Sequence, residues 1–181
     1  MPTEKILTGY PSIDKPWLKY YTEEAINAEL PKGTAYDYLY ECNQEHLDKY
    51  SINYFNNKFT FKDLFDKIEI VAKAFLAIGV KKGDIVTVSL PNMPEAVCIF
   101  YALSRIGAIS NMVDPRTSVE GLKEYVCEVN SAIVITIDMA VEKFLSIKNE
   151  TNMKTVISVS PSESFPAVLK LLYNLKNTTH K

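Results

Sequence analysis

The sequence predicts an α/β fold: an open, mainly parallel sheet flanked by helices, preceded by an N-terminal arm and a short β-hairpin. Three observations carry that expectation. Residues 79–115, GVKKGDIVTVSLPNMPEAVCIFYALSRIGAISNMVDP, read as turn, strand, apolar helix, glycine stop and second strand. That is one βαβ unit, whose crossover forces its two strands to run parallel. The alternation then repeats, with AIVITI (132–137) and TVISV (155–159) as further strands. These strands are β-branched, near-continuous apolar runs, as expected of a sheet covered on both faces.

The arm, residues 1–33, is rich in proline, tyrosine and lysine and has no clean period. Thr22, Glu23 and Glu24 open a short helix that Pro31 and Gly33 close, and Trp17, Tyr20 and Tyr21 are aromatics suited to docking the arm on a body. Spacing predicts an amphipathic helix over 34–49, with Thr34 as N-cap and Tyr36, Leu39, Tyr40, Asn43 and Leu47 in series. The run INYF-NN-KFTF predicts a hairpin turning at Asn56-Asn57, because asparagine tolerates positive φ.

Thr60 and Asp63 then cap a strongly amphipathic helix. Leu64, Phe65, Ile68, Val71, Ala72, Phe75 and Leu76 share one face, and Gly79 and Val80 are placed to close it. IVTVSL (85–90) is a central strand. Asn92-Met93-Pro94-Glu95 reads as a cap for a buried helix over 93–106, which Gly107 stops. Residues 109–113 form the second strand. Thr117 and Glu120 frame another cap, followed by the stripe Leu122, Tyr125, Val126 and Val129. Val141, Phe144 and Leu145 mark a short helix. After Pro161, Val168, Leu169, Leu172 and Leu175 form the stripe of a last amphipathic helix. The organisation expected is an arm (1–33), an α/β subdomain (34–160) and a C-terminal helix (161–181) leading to an absent remainder.

Bulk properties exclude several classes of function. The 181 residues suit one domain, and 20 Lys and Arg against 22 Asp and Glu leave a net charge of −2. A nucleic-acid binder carries a basic footprint and arginine forks; here the arginines are Arg105 and Arg116 alone. No apolar run reaches membrane-spanning length. Cys42, Cys98 and Cys127 are dispersed and odd in number, and no signal peptide opens the chain, so a reducing cytoplasmic setting is expected. His46 and His180 cannot form a clustered metal site and read as surface residues.

Ligands of a parallel sheet bind at the carboxyl ends of its strands. Those positions hold Leu90-Pro91-Asn92, Asp114-Pro115-Arg116, Asp138 and Ser160. None of the six glycines builds GxGxxG or GxxxxGK[ST], so no dinucleotide or P-loop site is expected. Asp114 and Asp138 evoke a metal-binding aspartate pair, but Asp114 precedes proline and reads as a turn residue, and Asp138 as a helix cap. Ser89, Ser104, Ser110 and Ser118 lack a nucleophile-elbow context. Arg116, in a strand-end loop before a helix, is the candidate for anion contact, with a surface ion pair as the competing reading. No catalytic or metal residues are assigned.

Four stretches carry a resemblance. They are Phe59-Thr60-Phe61-Lys62-Asp63-Leu64 (an LTYxEL-like element), Gly79-Val80-Lys81-Lys82-Gly83-Asp84, Leu90-Pro91-Asn92-Met93-Pro94-Glu95, and Ala102-Leu103-Ser104-Arg105-Ile106-Gly107-Ala108. In order and spacing, over about residues 34–160, they resemble the adenylate-forming superfamily of AMP-forming acyl-CoA synthetases, luciferase and adenylation domains. The SIDKPWLKYY element of the arm is most similar to acyl-CoA synthetase members.

The resemblance implies the N-terminal subdomain of a ligase. In the full-length enzyme, ATP, Mg and CoA convert a small-molecule carboxylate, such as a fatty acid, to an acyl-adenylate and then a thioester. Asp114, Pro115, Arg116 and Thr117 match by position a loop near the CoA nucleotide in some members. The family's TSGTTGxPK-like phosphate loop, its aromatic-Gly-Glu element, its nucleotide-binding aspartate and the lysine of its C-terminal lid are absent from these residues. The chain is therefore expected to be inactive alone, with no cofactor bound, and to self-associate through exposed apolar surface. A free-standing, non-catalytic module that binds a protein partner is the competing expectation, and an unrelated flavodoxin-like binding domain a third.

Overall fold

The structure, a computed structural model, describes residues 7–178; His180 lies outside them. The backbone divides into two compact units between Lys32 and Gly33. In the first, α1 (Pro11–Asp14) is followed by a 3₁₀ turn (Pro16–Tyr20) and α2 (Glu23–Asn27). Lys15 joins the first two with a left-handed backbone, φ 46°. Asp14 fixes the loop before it, accepting from the Thr8 and Gly9 N–H groups and the Thr8 hydroxyl. Thr22 caps α2 by accepting from the Ala25 N–H.

The second unit holds α3 (Ala35–Asn43), the hairpin β1 (Tyr50–Tyr54) and β2 (Asn57–Thr60), and α4 (Phe61–Ala77). It continues through β3 (Ile85–Ser89), α5 (Pro94–Arg105), β4 (Ile109–Met112), α6 (Val119–Glu128), β5 (Ile133–Ile137), α7 (Val141–Ser146), β6 (Thr155–Val159) and α8 (Ala167–Thr178). The four strands β3 to β6 form one sheet in the order β4-β3-β5-β6, every pair parallel. The predicted parallel α/β sheet and hairpin are therefore present.

Period-two alternation splits the sheet's side chains between two cores. Val86, Val88, Ile135 and Ile137 pack with α4 and α5, including Ile68, Phe75, Ala102 and Leu103. Val134 packs with Leu122 and Val126 of α6 and Phe144 of α7. Small buried hydroxyls, Thr87, Ser89 and Thr136, alternate on this second face. Ser131 ties the strands there: its hydroxyl accepts from the Thr87 N–H at 3.1 Å and lies 2.8 Å from the Ile133 carbonyl.

Three helices deliver the chain into three strands by one device. At the end of α4 the Gly79 N–H reaches Leu76 O (3.0 Å) and the Val80 N–H reaches Phe75 O (3.0 Å). The same pair of bonds joins Gly107 to Ser104 and Ala108 to Leu103 after α5, and Asn130 to Cys127 and Ser131 to Val126 after α6. Each is a Schellman turn, whose first residue must be left-handed; Gly79, Gly107 and Asn130 have φ 94°, 72° and 50°. The residue after each, Val80, Ala108 or Ser131, is buried at the threshold of a strand. Asparagine does at position 130 what glycine does at the other two, a turn that the glycine pattern does not reveal.

Local details depart from expectation at four places. The helix predicted over 34–49 stops at Asn43, whose side-chain amide donates to Leu39 O (2.8 Å) in competition with the backbone ladder. The hairpin turns one residue early, at Phe55-Asn56, φ 51° and 66°, and Asn57 pairs with Tyr54. Phe55 accepts this left-handed position while packing edge-on against Tyr54 and Phe165, ring centroids 4.8 and 5.4 Å away. Asn92 does not cap α5: Met93 is the N-cap residue, with no side-chain bond. Its burial and extended backbone leave Asn92 facing outward. Ser118 rather than Thr117 caps α6, accepting from the Gly121 N–H.

By contrast, both expected caps at Thr34 and Thr60 form reciprocal capping boxes, with Asp37 and Asp63. Arg105 binds the helical layer together. It pairs with Glu69 at 2.5 Å and lies over the Tyr36 ring at 4.7 Å, joining α3, α4 and α5. At the other end Phe165 stacks on Tyr54, and Tyr173 of α8 packs on Phe165. The α8 stripe itself stays outside, with Val168 71%, Leu172 57% and Leu175 58% exposed.

The left-handed turns give a direct stability test. Nothing lies within 4 Å of a Cβ added at Gly79, so Gly79→Ala adds backbone strain alone. It is expected to destabilise the fold by about 1–2 kcal/mol, whereas Asn130→Gly stays within about 0.5 kcal/mol of the parent. Urea unfolding of the two variants measures both.

Candidate functional site

The strand ends create the site. Val88 registers with Met112 across the β3–β4 pair, so residues 90–92 and 113–116 leave the sheet side by side. Between them lies a cleft of about 500 Å³, lined by Leu90, Pro91 and Asn92 on one side and by Met112 to Arg116 on the other. The loop after β3 leads into α5 on one face of the sheet, and the loop after β4 leads into α6 on the other, so the two connections part at this cleft. The point where the strand order reverses lies next to it, between β3 and β5. A second cavity of about 380 Å³ adjoins the cleft through Asn92 and Met112, walled by Tyr54, Phe100 and Tyr101.

Within the cleft, Asp114 turns back on Arg116. Its carboxylate accepts from the Arg116 backbone N–H at 2.8 Å and from the guanidinium at 3.0 and 2.6 Å. The guanidinium bonds, with the backbone N–H beside them, hold the Asp114 carboxyl down at about 2. Arg116 is thus an exposed cation already engaged by its own loop, and an anion entering the cleft must compete with Asp114. The ion pair and the anion contact were the two readings of Arg116 in the sequence, and the pair is what forms.

Lys143 of α7 is the residue that sequence reasoning passed over. Its ammonium donates to Pro115 O (3.3 Å) and Thr117 O (3.2 Å), pinning the backbone of the loop from below. Its spacing on α7 gave no signal, because the contact crosses from one βα connection to another. Thr117 contributes that carbonyl and sits beside Gly121, where an added Cβ would meet its methyl at 2.8 Å.

The other strand ends are engaged elsewhere. Asp138 neither pairs with Asp114 nor caps α7. Its carboxylate accepts from the Tyr173 hydroxyl at 2.9 and 3.0 Å and from the Met139 N–H at 2.8 Å. Ser160 opens a 3₁₀ turn (Pro161–Ser164). Ser104 accepts from the Tyr36 N–H. Among the described residues no three His, Cys, Asp or Glu side chains gather to hold a metal.

A triphosphate needs a nest of backbone N–H groups or several free cations. The cleft offers one neutralised guanidinium and, at Pro91 and Pro115, two positions with no N–H at all. These residues do not fit that group. What they do make is a cleft with apolar walls and one polar, charge-balanced lip.

Fold and cleft together define a doubly wound α/β unit with a cleft at the carboxyl ends of its strands. Comparison with known proteins narrows this. The family model for AMP-binding enzyme matches residues 39–177. A long-chain-fatty-acid–CoA ligase of Bacillus subtilis (strain 168) is 26% identical over 162 residues, 89% of this chain and 29% of the relative. An acetyl-coenzyme A synthetase of Brucella canis is 32% identical over 134 residues, 68% of this chain and 21% of the relative.

Among solved structures, the anthranilate CoA ligase AuaEII in complex with anthranoyl-AMP superposes with a TM-score of 0.68 at 17% identity. It covers 72% of this chain and 26% of that one. A long-chain-fatty-acid-CoA ligase (FadD1) from Archaeoglobus fulgidus also gives 0.68, at 21% identity, with coverage of 76% and 30%. The chain belongs to the AMP-binding, adenylate-forming enzyme family, and it spans less than a third of the length of the curated relatives it matches.

The Asp114–Arg116 pair makes the loop's electrostatics measurable. Because folding depresses the Asp114 pKa, the pair's contribution is complete above the ordinary carboxylate value near 3.8 and fades as pH falls through about 2. In Arg116→Gln the carboxyl is expected to rise toward 3.8 without reaching it, since the backbone N–H of residue 116 still donates. A carbon-detected NMR titration of Asp114 in both proteins reads this shift.

Proposed function

We propose that this chain is the N-terminal part of an AMP-forming acyl-CoA synthetase-like ligase, and that it cannot complete the reaction alone. The whole enzyme would activate a small-molecule carboxylate with ATP and Mg, then pass the acyl group to CoA. The observation that carries the reading is the family match across residues 39–177, continuous over the α/β unit. The long-chain-fatty-acid and acetyl-coenzyme A relatives point to fatty acid metabolism as its setting.

This part supplies a scaffold. Loop 114–117 is the CoA-proximal element: Lys143 holds its backbone, Asp114 keeps Arg116 in place, and the guanidinium would swing to a CoA phosphate when one arrives. No step of adenylation is assigned to these residues, because none of them cradles a triphosphate. A free-standing partner-binding module remains the competing reading, favoured by the exposed leucine face of α8.

The test is carboxylate-dependent ATP–pyrophosphate exchange by the 181-residue chain, assayed with acetate and with a long-chain fatty acid. The expected result is exchange indistinguishable from a blank. Exchange above the blank with either acid would show that adenylation chemistry resides here.

A further inference from the structure

A surface helix ordinarily turns its apolar stripe to the core and its polar side to water. α8 does the reverse. At 3.6 residues per turn, Val168, Leu171 and Leu172 fall on one side of it and Lys170 and Tyr173 on the other. The polar side is the one that docks. Lys170 reaches Glu163 at 3.5 Å, and the Tyr173 hydroxyl donates to the Asp138 carboxylate at 2.9 Å. Val168, Leu171 and Leu172 are left exposed. Aliphatic side chains held in water by polar bonds behind them mark an interaction surface.

A second apolar group stands beside this helix. Phe55, at the tip of the hairpin, is 59% exposed and holds the left-handed backbone that suits glycine or asparagine. Its ring centroid is 5.4 Å from that of Phe165, which in turn meets Tyr173 of α8 at 5.8 Å. The fold therefore keeps a strained aromatic in solvent next to the outward-facing helix.

Charge decides between occupants. From Ser164 to Lys181 there is no Asp or Glu, yet Lys170, Lys176 and Lys181 fall in this stretch of a chain whose net charge is −2. Lys170 offsets Glu163, the carboxylate that precedes the stretch. Lys176 comes at the border of the apolar arc, and Lys58 follows the hairpin turn. A second copy would set one lysine-bearing, carboxylate-free helix against another, and like charges across an interface oppose binding. A protein partner would also ask for hydrogen bonds across the contact, which Val168, Leu171 and Leu172 cannot make. An anionic lipid surface asks for what is present: an aliphatic arc for the acyl boundary, an aromatic at headgroup level, and lysines for the phosphates.

We propose that α8 and the tip of the β1–β2 hairpin dock this chain on a bilayer containing anionic phospholipid, with Val168, Leu171, Leu172 and Phe55 at the acyl boundary. The surface stands on these residues alone and does not depend on the ligase reading.

The experiment sediments the 181-residue chain with vesicles of phosphatidylcholine, with and without phosphatidylglycerol. Binding is expected to be at least tenfold tighter to the anionic vesicles and to weaken as salt is raised. Leu171→Glu/Leu172→Glu, placed on exposed positions, should lower it at least tenfold. Phe55→Gly removes the aromatic and relieves the turn together, so vesicle affinity should fall several-fold while stability to urea does not. The chain holds a single tryptophan, Trp17. In a Trp17→Phe background, Leu171→Trp therefore reports insertion through quenching by brominated acyl chains, which is expected.

Absence of binding to anionic vesicles, equal binding to neutral ones, binding unaltered by Leu171→Glu/Leu172→Glu, or an unquenched indole at position 171 would each overturn the proposal. So would a dimer that Leu171→Glu/Leu172→Glu dissociates without any vesicle binding, which would give the face to a second copy. Binding to poly-L-glutamate in place of vesicles would give it to an acidic protein instead.

Discussion

The left-handed turn at the end of α4, α5 and α6 is the constraint from which the rest of the second unit follows. An L-residue there costs about 1–2 kcal/mol unless it is glycine or can bond locally, as asparagine does. Once the turn is made, two backbone bonds satisfy the last carbonyls of the helix and the next residue is driven into the core. Val80, Ala108 and Ser131 are those residues, and β3, β4 and β5 begin within five residues of them. Three repeats of one local geometry therefore align three parallel strands, and the strand ends they align form the cleft at residues 90–92 and 113–116.

Much of this was legible in the sequence, for identifiable reasons. The strands were readable because buried parallel strands need β-branched runs on both faces, and IVTVSL, AIVITI and TVISV have them. The α4 boundaries were readable because Thr60, Asp63 and Gly79 each perform a local job that does not depend on distant residues. The readings that shifted were those in which tertiary contacts compete with local preference. Aromatic packing of Phe55 with Tyr54 and Phe165 accompanies the hairpin turn one residue early, and burial of Met93 displaced the expected cap at Asn92. Glu95, read as a capping residue, instead meets Ser164, 69 positions away.

The site divides along the same line. Arg116 was visible as a strand-end cation, and Asp114 beside it as a turn residue. Their bidentate pairing follows from a spacing of two in a turn. Lys143 was invisible, since nothing in its neighbours says that α7 lies beneath the loop between β4 and α6. Long-range contacts of this kind, with the Tyr173 hydroxyl on Asp138 as another, are written in the topology and not in any short motif.

The reading proposed for this chain is that it supplies a parallel sheet and a charge-balanced cleft and does not itself cradle a triphosphate. The most direct test is a titration of the isotopically labelled chain with Mg-ATP, followed by amide NMR up to about 1 mM, the top of the usual KM range. The account predicts no saturable, residue-specific shift at positions 90–92 or 114–117. Stoichiometric binding centred on those positions would contradict it.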